Sequence, residues 1–316
     1  MIDNNSAYLK FVDEAQNLAE GLPMYFSKYS KHTYNNHQKF VIVILMQKMK
    51  MTSREIAEFL KSNEEIRLLL GLFSIPVHTT IIRFRKKIRF FLNKLVGIKQ
   101  ACKVAVDATG FEIEAKSYYF RNISEMRFKN YRRKTKRHMK LSISVDLDKQ
   151  LIMSYKIRRG PRNDNLDFKI LLKDLKIDYL IADKGYSSKE NRKFVLSKRA
   201  VPIIPQKRNE SCFYLAGKKK LTFDKSLYAQ RSKVETVFSV IKRKYGSVLR
   251  SKSFLTQKAE LECKLIAYNL DRKLKISSIY FVRIAPELKI VNFKYINLSK
   301  KQHEKKKLNN FNKHLS

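Results

Sequence analysis

The sequence has few of the residues and patterns that mark several common classes of protein. Only three of its 316 residues are cysteines, and these are too far apart to predict a disulfide framework or a paired metal-ligand motif. The six histidines also lack the short spacing of a structural zinc site. Neither GxxxxGK[ST] nor GxGxxG is present, so we predict none of the usual phosphate-binding loops and no nucleotide cofactor.

Long apolar runs are also missing. The most apolar run, Phe40–Met46, has seven residues, whereas a membrane-spanning helix needs about 20, so this run predicts a buried helix segment. The first residues, Met1–Asn5, are polar and acidic rather than basic and then apolar, which is not the pattern of a secretion signal. We therefore expect a cytoplasmic protein with no membrane partner.

Acidic residues are scarce relative to basic ones. The chain has 68 Lys and Arg against 28 Asp and Glu, a formal net charge of +40. A field of that size exceeds what solubility requires and predicts a polyanionic partner, with nucleic acid as the first candidate. A membrane surface is the alternative, which the short apolar runs disfavour.

One strongly basic stretch lies between Arg121 and Lys140, where nine Lys or Arg accompany a single acid. Such a run is most often a solvated surface segment. Here it follows a predicted strand and precedes the next one, so it could project as a basic hairpin that binds DNA phosphates. The DNA-binding candidates in it are Arg132, Arg133 and Lys136.

Further along the chain, four residues with complementary chemistry are spaced so that they would lie on one face of a helix. They are Tyr228, Arg231, Glu235 and Lys242. At 3.6 residues per turn their offsets fall within an arc of about 60°, beside a separate apolar stripe that includes Val234 and Ile241. An acid between two cations suits a phosphodiester substrate, although Arg231 and Glu235 alone could be an ordinary surface ion pair.

Two aspartates are each predicted near the end of a strand. Asp107 lies in an alternating strand that Gly110 is expected to close, and Asp183 follows the short apolar run Tyr179–Ala182. Taken alone, each is more often a turn or helix-capping residue. Together with Glu235, they favour a shared catalytic role.

These motifs resemble those of insertion-sequence transposases of the DDE superfamily. The resemblance rests on Y-x2-R-x3-E-x6-K at Tyr228–Lys242, on V-x-D-x-T-G around Asp107 and on A-D-x-G-Y around Asp183. It implies that Asp107, Asp183 and Glu235 are the catalytic, metal-binding acids, and that they lie close enough to share two Mg²⁺ ions, for which Mn²⁺ could substitute. Asp107 is then expected to bridge both ions, and Asp183 and Glu235 are each expected to hold one of them.

The same resemblance implies a reaction and its partners. Water attacks the phosphodiester at the element's end, and the freed 3′-hydroxyl then attacks target DNA. The expected partners are double-stranded DNA and a second subunit, as a homodimer on paired ends, near the nucleoid of a bacterium or archaeon. Tyr228, Arg231 and Lys242 are expected to contact DNA. Two alternatives stay open: an RNase H-like nuclease without joining activity, and a catalytically silent, transposase-derived DNA-binding protein.

The order of predicted elements indicates an α/β fold. Three strands, a helix over residues 165–176, a strand, a second helix and a short edge strand precede the Glu235 helix. This is the order of an RNase H-like catalytic core, a mixed sheet flanked by helices, which we place at residues 99–298. In the helix over residues 165–176, Leu166, Ile170, Leu171 and Leu175 are predicted to face inward. Residues 299–316 are expected to be a basic disordered tail.

Residues 1–98 are predicted to form a small all-α, helix-turn-helix-like domain for DNA binding or assembly. Thr52 opens a capping box and Asn63 is expected to cap the following helix. A longer basic helix after Pro76 carries the DNA-binding candidates Arg83 and Lys86. Small helical bundles with a basic face are common, so this interpretation depends mainly on the adjoining catalytic region.

Overall fold

The structure, a computed structural model, describes residues 4–95, 99–113, 138–160, 163–206 and 223–278. It divides into two units, Met1–Arg272 and Lys273–Ser316, and the described start of the second unit, residues 273–278, is helical. The predicted basic hairpin with Arg132, Arg133 and Lys136 and the predicted tail at 299–316 both lie outside the described residues.

In the described residues, five helices precede the sheet. They are α1 Asn4–Ala19, α2 Asn36–Lys48, α3 Ser53–Ser62, α4 Glu64–Leu69 and α5 His78–Leu95. The central one is α2, which contacts α1, α3 and α5, and the whole run Phe40–Met46 within it is buried as predicted. Among the residues that the structure describes, no helix is long and apolar enough to cross a membrane.

The predicted caps differ in outcome. Thr52 forms a complete capping box, because its hydroxyl accepts from the Glu55 backbone while the Glu55 carboxylate accepts from the Thr52 backbone. Asn63 stands at the N-cap position of α4, yet its side chain donates to the Phe59 carbonyl at 2.9 Å and makes no capping bond. The Asn63 amide instead satisfies a carbonyl at the end of α3.

The described part of the sheet has six strands. They are β1 Gln100–Ile113, β2 His138–Asp146, β3 Leu151–Arg159, β4 Lys176–Ala182, β5 Val201–Ile203 and β6 Val248–Leu249. The order is β3-β2-β1-β4-β5, antiparallel among the first three strands and parallel for β4 and β5, while β6 pairs with the end of β1. This confirms the predicted mixed, RNase H-like sheet with β5 at an edge.

Helices pack against both faces of the sheet, so strand side chains contact the helices on their own face. On one face, Val104 and Val106 of β1 join a buried cluster with α6 (Asn165–Leu172) and α7 (Lys189–Ser197). Because side chains alternate along a strand, Asp107 faces the opposite side. There it meets Arg231, which links α8 (Lys225–Ala229) to α9 (Ser232–Tyr245). The last described helix, α10, begins at residue 254 and contacts β3 through Glu262, which accepts from the Tyr155 hydroxyl.

The prediction for α6 was wrong in length and right for only half of its inward face, because Leu171 and Leu175 are buried as predicted whereas Leu166 and Ile170 are not. The helix ends at Leu172 rather than at residue 176, where β4 begins, and Leu166 and Ile170 are 52% and 48% exposed. The side chains that it buries are Asp167, Phe168, Leu171 and Leu172. The inward face therefore includes an acid, which the apolar pattern could not indicate.

Asp167 is stabilised inside by two partners from the sheet. Its carboxylate accepts from the Ser142 hydroxyl at 3.1 Å and from Arg158 Nε at 2.5 Å, and the side chain is only 1% exposed. A buried charge needs such pairing, because an unpaired one costs several kcal/mol of desolvation. Asp167 thus joins α6 to β2 and β3.

Candidate active site

Asp107 lies in the middle of β1, not near its end as predicted. Gly110 does not close the strand. It pairs with Lys140 of β2, and the residues before and after Gly110 are also paired with β2. On the other side, β4 pairs with β1 only as far as Ala182 opposite Val106. The next residue of the chain, Asp183, therefore leaves the sheet directly beside Asp107.

The end of β4 leaves a gap along β1. β6 resumes the pairing only at Glu112, so the described strands leave residues 107–111 of β1 paired on the β2 side alone. Asp107, Thr109 and Phe111 alternate along this stretch and share one face. The candidate site is this gap, and α9 supplies its other wall.

Arg231 joins two of the predicted acids. One of its terminal nitrogens, Nη1, donates to Asp107 Oδ2 at 3.2 Å, and the other, Nη2, donates to Glu235 Oε1 at 2.5 Å. Arg231 and Glu235 are therefore not a simple surface ion pair. The same guanidinium also binds Asp107, which lies 124 residues earlier in the sequence and whose side chain is 20% exposed.

The four-residue stripe is not carried by a single helix. Tyr228 lies on α8, Arg231 is the N-cap of α9, and Glu235 and Lys242 lie on α9. The linking residues Gln230 and Arg231 keep right-handed helical backbone angles, which preserves the predicted phase across the break. The expected apolar stripe is confirmed, because Val234, Val237 and Ile241 are buried.

Tyr228 connects the remaining aspartate to this cluster. Its hydroxyl interacts with both the Asp183 carboxylate and the Arg231 guanidinium. Burial raises the pKa of the Tyr228 phenol, and the negative charge of Asp183 acts in the same direction, so the phenol keeps its proton at neutral pH. Tyr228 can therefore donate a hydrogen bond in the site.

Lys242 is positioned by β1. Its Nζ donates to Thr109 Oγ1 at 2.7 Å and lies 5.5 Å from the centre of the Phe111 ring, within the range of a cation–π contact. Sequence reasoning gave Thr109 no role, although its position two residues after Asp107 places both side chains on one strand face. Thr109 orients the ammonium beside the acids.

The environment of Asp107 opposes its negative charge. Burial raises the pKa of this carboxyl, and the charges of Asp183 and Glu235 raise it further. The backbone N–H of Ala108, which donates at 2.8 Å, and the Arg231 guanidinium both lower it. A cation at this point would stabilise the ionised form of Asp107.

The three acids border one site but do not gather around one point. In the described parts of the chain, no three His, Cys, Asp or Glu side chains are close enough together to hold a metal ion between them. The guanidinium of Arg231 lies between Asp107 and Glu235 instead. Since like charges repel strongly at short range, a cation placed between the two carboxylates favours this arrangement.

The donor set nevertheless fits a hard divalent cation. Asp107, Asp183 and Glu235 supply carboxylate oxygens, the ligands that Mg²⁺ and Mn²⁺ prefer. Two of these acids already share one cationic partner, Arg231. The residues that hold this guanidinium could therefore hold a metal ion once Arg231 has another partner.

The DNA-binding candidates outside this cluster are separate from it. Arg83 and Lys86 are exposed on α5, and no described contact joins them to Asp107, Asp183 or Glu235. Because both side chains are exposed on the same helix, one long ligand could contact both of them. Arg132, Arg133 and Lys136 have no described position.

The class of protein is thus an RNase H-like α/β protein that has one aspartate within a strand, a second directly after the adjacent parallel strand and a glutamate on the helix beside them. Family comparison is more specific. A model described as the transposase DDE domain matches residues 98–270, which is more than half of the chain, and one described as a transposase domain (DUF772) matches residues 6–87. The chain belongs to the DDE transposase family.

Comparison with solved structures gives a further likeness. The piggyBac transposase, in a cryo-EM structure of its synaptic complex with hairpin DNA, is similar with a TM-score of 0.41 and 11% sequence identity, over 85% of this chain and 73% of that one. No curated protein matches the chain in sequence.

Proposed function

We propose that the protein binds the ends of an insertion sequence, cleaves DNA phosphodiesters by metal-assisted hydrolysis and joins the 3′-hydroxyl ends to target DNA. The observation that carries this proposal is the cluster in the gap beside β1. There, Asp107, Asp183 and Glu235 border one site together with the cations Arg231 and Lys242. Metal-assisted phosphoryl transfer uses acids that hold the metal, and cationic side chains can hold the phosphate.

Within this proposal the three acids hold Mg²⁺, or Mn²⁺ in its place. When bound, the metal pair lowers the pKa of the attacking oxygen and stabilises charge on the leaving oxygen. The protein's own contribution is to fix the acids on rigid elements: Asp107 on β1, Asp183 at the end of β4 and Glu235 on α9. Rigid placement reduces the entropy lost on reaching the reactive geometry.

Arg231, Tyr228 and Lys242 position the DNA in this scheme. Arg231 carries a planar guanidinium that suits bidentate binding of a phosphate. The Tyr228 phenol donates a hydrogen bond, and Lys242, held by Thr109, supplies a point charge. These groups bind the phosphates next to the scissile bond, whereas the acids act on the bond itself.

The proposed partners are double-stranded DNA, at the element's ends and at the target, and a second copy of the chain. Transposition between two paired ends requires at least two active sites, so we infer a homodimer on DNA. The net charge of +40 supports a polyanionic partner. We place the protein in the cytoplasm at the nucleoid of a bacterium or archaeon, and we assign it no nucleotide cofactor.

A cleavage and joining assay tests this function. The DNA on either side of the gene is cloned as the donor, and full-length protein is added with Mg²⁺ or Mn²⁺ and a supercoiled target plasmid. We expect nicks at the element's ends, and then joined products that carry those ends. Nicks without joined products would instead support the RNase H-like nuclease, and specific binding with no cleavage would support a silent descendant.

Lys242→Ala is expected to lower the rate of cleavage or joining by about tenfold or more while changing DNA affinity less than about threefold. An ammonium beside the scissile phosphate stabilises the charge that develops during the reaction, so its loss lowers the rate. DNA affinity depends on many other cations as well, so it changes less. Single-turnover cleavage rates and salt-matched binding curves measure the two effects. Arg243→Ala is the matched control, because Arg243 is the next residue of α9 and is exposed. Equal rates for both variants would make Lys242 an ordinary surface lysine.

Arg83→Gln combined with Lys86→Gln is expected to reduce the preference for the element's ends over scrambled duplex by about tenfold. Each specific base contact contributes roughly 1–3 kcal/mol of discrimination, whereas a phosphate contact weakens all sequences alike. Competition binding between the two duplexes measures the ratio. Lys173→Gln with Lys176→Gln is the control, since it removes two exposed charges at the same spacing near β4. If the ratio of end-sequence to scrambled-duplex binding is unchanged, α5 has a structural or assembly role rather than a role in end recognition.

A further inference from the structure

A cavity of about 410 Å³ lies between the N-terminal helices and the segment that follows α9. Lys50 and Thr52, between α2 and α3, form part of its wall, as do Arg85 of α5 and Arg250 after β6. This cavity is distinct from the gap beside β1, because none of the predicted acids lines it. Its location joins the region of the DUF772 match to the DDE domain.

The lining of the cavity is strongly cationic. It contains four cationic side chains and one acidic side chain: Lys50, Arg85, Arg250 and Lys264, and Glu260. Burial lowers the pKa of Lys264, and the nearby charges of Arg250 and Lys50 lower it further, although Glu260 acts in the opposite direction. The positive charges thus act on one another within this cavity, which favours binding of an anion.

The single acid stands 3.8 Å from two of these cations, Arg85 and Lys264, so the lining keeps an excess of positive charge. The Glu260 carboxylate accepts from the backbone N–H groups of Arg250 at 3.1 Å and Ser251 at 2.9 Å, and also from the Ser251 hydroxyl. Lys264 donates to the carbonyls of Gly246 at 2.9 Å and Val248 at 3.0 Å. Glu260 and Lys264 are therefore occupied by the wall of the cavity itself.

Arg85 is left with an unused donor. Its side chain is 16% exposed, and its closest described carboxylate, that of Glu260, stands 3.8 Å away, which is beyond hydrogen-bond distance. Within the part of the chain that the structure describes, the buried Nε of Arg85 has no hydrogen-bond partner. A buried donor without an acceptor is destabilising, so this guanidinium favours an acceptor from outside the chain.

Lys50 occupies a backbone conformation that a lysine rarely adopts. Its φ is +56°, in the left-handed region where glycine is favoured. Its Nζ donates to the Arg243 carbonyl at 2.8 Å, at the end of α9, and the residue is exposed at the mouth of the cavity. A positive side chain is thus held at this place despite the strain of its backbone.

We propose that this cavity binds a backbone phosphate of DNA, held by Arg85, Lys50 and Arg250. The start of α3, at Thr52 and Ser53, also borders the cavity and adds the favourable end of a helix dipole. Tyr245 at the cavity lies ten residues after Glu235 on α9, or about 15 Å along the axis at 1.5 Å per residue. This distance is short enough for one duplex to reach both places, so the proposal rests on the proposed function.

Two binding measurements on the full-length chain test the site. In the first, thermal unfolding is followed with inorganic phosphate and with chloride at equal ionic strength. In the second, binding of a 30-base-pair duplex is measured as salt is varied. Lys50→Gly is the main variant, because glycine accepts the positive φ and removes only the side chain. Arg85→Gln is the second variant.

Arg199→Gly is the matched control. Arg199 is also exposed, also has a positive φ, of +62°, and lies between α7 and β5, away from the cavity lining. We expect phosphate to raise the Tm of the wild type and of Arg199→Gly by about 2 °C or more, but not that of Lys50→Gly. Duplex affinity should fall about fivefold or more in Lys50→Gly, with a salt slope smaller by about one.

Every other outcome overturns the proposal. Stabilisation by inorganic phosphate without any change in duplex binding would assign the cavity to a small phosphate compound rather than to DNA. Weaker duplex binding with no phosphate-dependent shift would assign Lys50 to an open basic surface. If Arg85→Gln fails to fold, Lys50→Gly still decides between these results.

The test is independent of catalysis. If Lys50→Gly behaves as expected but the wild type cleaves no element ends, the phosphate site stands and the transposase reaction does not. If cleavage and joining occur but Lys50→Gly matches Arg199→Gly, only the phosphate site is wrong.

Discussion

Asp107→Asn is expected to lower Mg²⁺-dependent cleavage by about 10³-fold or more while leaving duplex affinity within about threefold of the wild type. The amide keeps the shape of the side chain but removes the charge that would hold metal, and metal assistance contributes several kcal/mol to such reactions. Glu235→Gln should behave alike. Cleavage rates at saturating Mg²⁺, together with binding curves, measure both quantities.

Glu112→Gln is the control for the loss of a carboxylate. Glu112 is exposed on the same strand as Asp107, five residues on, and so lies on its other face. Binding of Mn²⁺ provides a readout besides activity, and it should weaken in Asp107→Asn but not in Glu112→Gln. Near-normal cleavage by Asp107→Asn, with folding verified, would falsify the assignment of the acids.

The second large effect concerns stability, at a buried charge cluster distant in sequence from the site. Asp271 on α10 binds the ammonium groups of Lys48 on α2 and Lys244 on α9, and it accepts from the Tyr245 hydroxyl at 2.5 Å. Asp271→Asn should lower the free energy of unfolding by about 3–5 kcal/mol, because it removes the buried counter-charge of Lys48, which is 15% exposed, and of the partly exposed Lys244. Chemical denaturation at pH 7 measures the loss.

The stability effect of Asp271 has a definite pH dependence. Burial raises the pKa of this carboxyl, but the hydrogen bonds from Lys244, Lys48 and Tyr245 outweigh burial and leave the pKa below its usual value. Its contribution is therefore present above the unfolded pKa of about 3.9 and is lost as pH falls through the folded pKa. The difference between wild type and Asp271→Asn should shrink in that acidic range.

An exposed ion pair provides the comparison. Glu58 and Lys61 on α3 pair at 2.8 Å with side chains that are 70% and 58% exposed. Glu58→Gln should change the free energy of unfolding by less than about 1 kcal/mol, because water screens such pairs. If Asp271→Asn costs no more than Glu58→Gln, the buried cluster does not stabilise the fold as argued.

The strand pattern and the acid motifs were open to prediction because they depend on local sequence. Alternating apolar residues in β2 and the short apolar run before Asp183 indicate strands wherever they occur. The four-residue spacing likewise predicted the phase of α9, although not the break after Tyr228. Periodicity records which face is buried, and that was sufficient for these elements.

The errors arose where distant residues decide the outcome. The phase of α6 depends on Asp167, which is tolerable inside only because Ser142 and Arg158 reach it from two strands. Similarly, nothing near Arg231 in sequence indicates that its guanidinium binds Asp107, since the contact exists only after β1 and α9 have packed. A pattern of apolar residues contains no information about such polar pairings.

The position of Arg231 makes it an internal competitor for any divalent cation. On the proposed function, the two carboxylates that would ligate metal already hold a guanidinium, so Arg231 and the ion compete for them. A phosphate that accepts the released guanidinium removes this competition. By thermodynamic linkage, DNA then tightens metal binding and metal tightens DNA binding by the same factor. On the proposed function, a protein free of DNA holds its metal weakly, and hydrolytic competence arises only on the substrate.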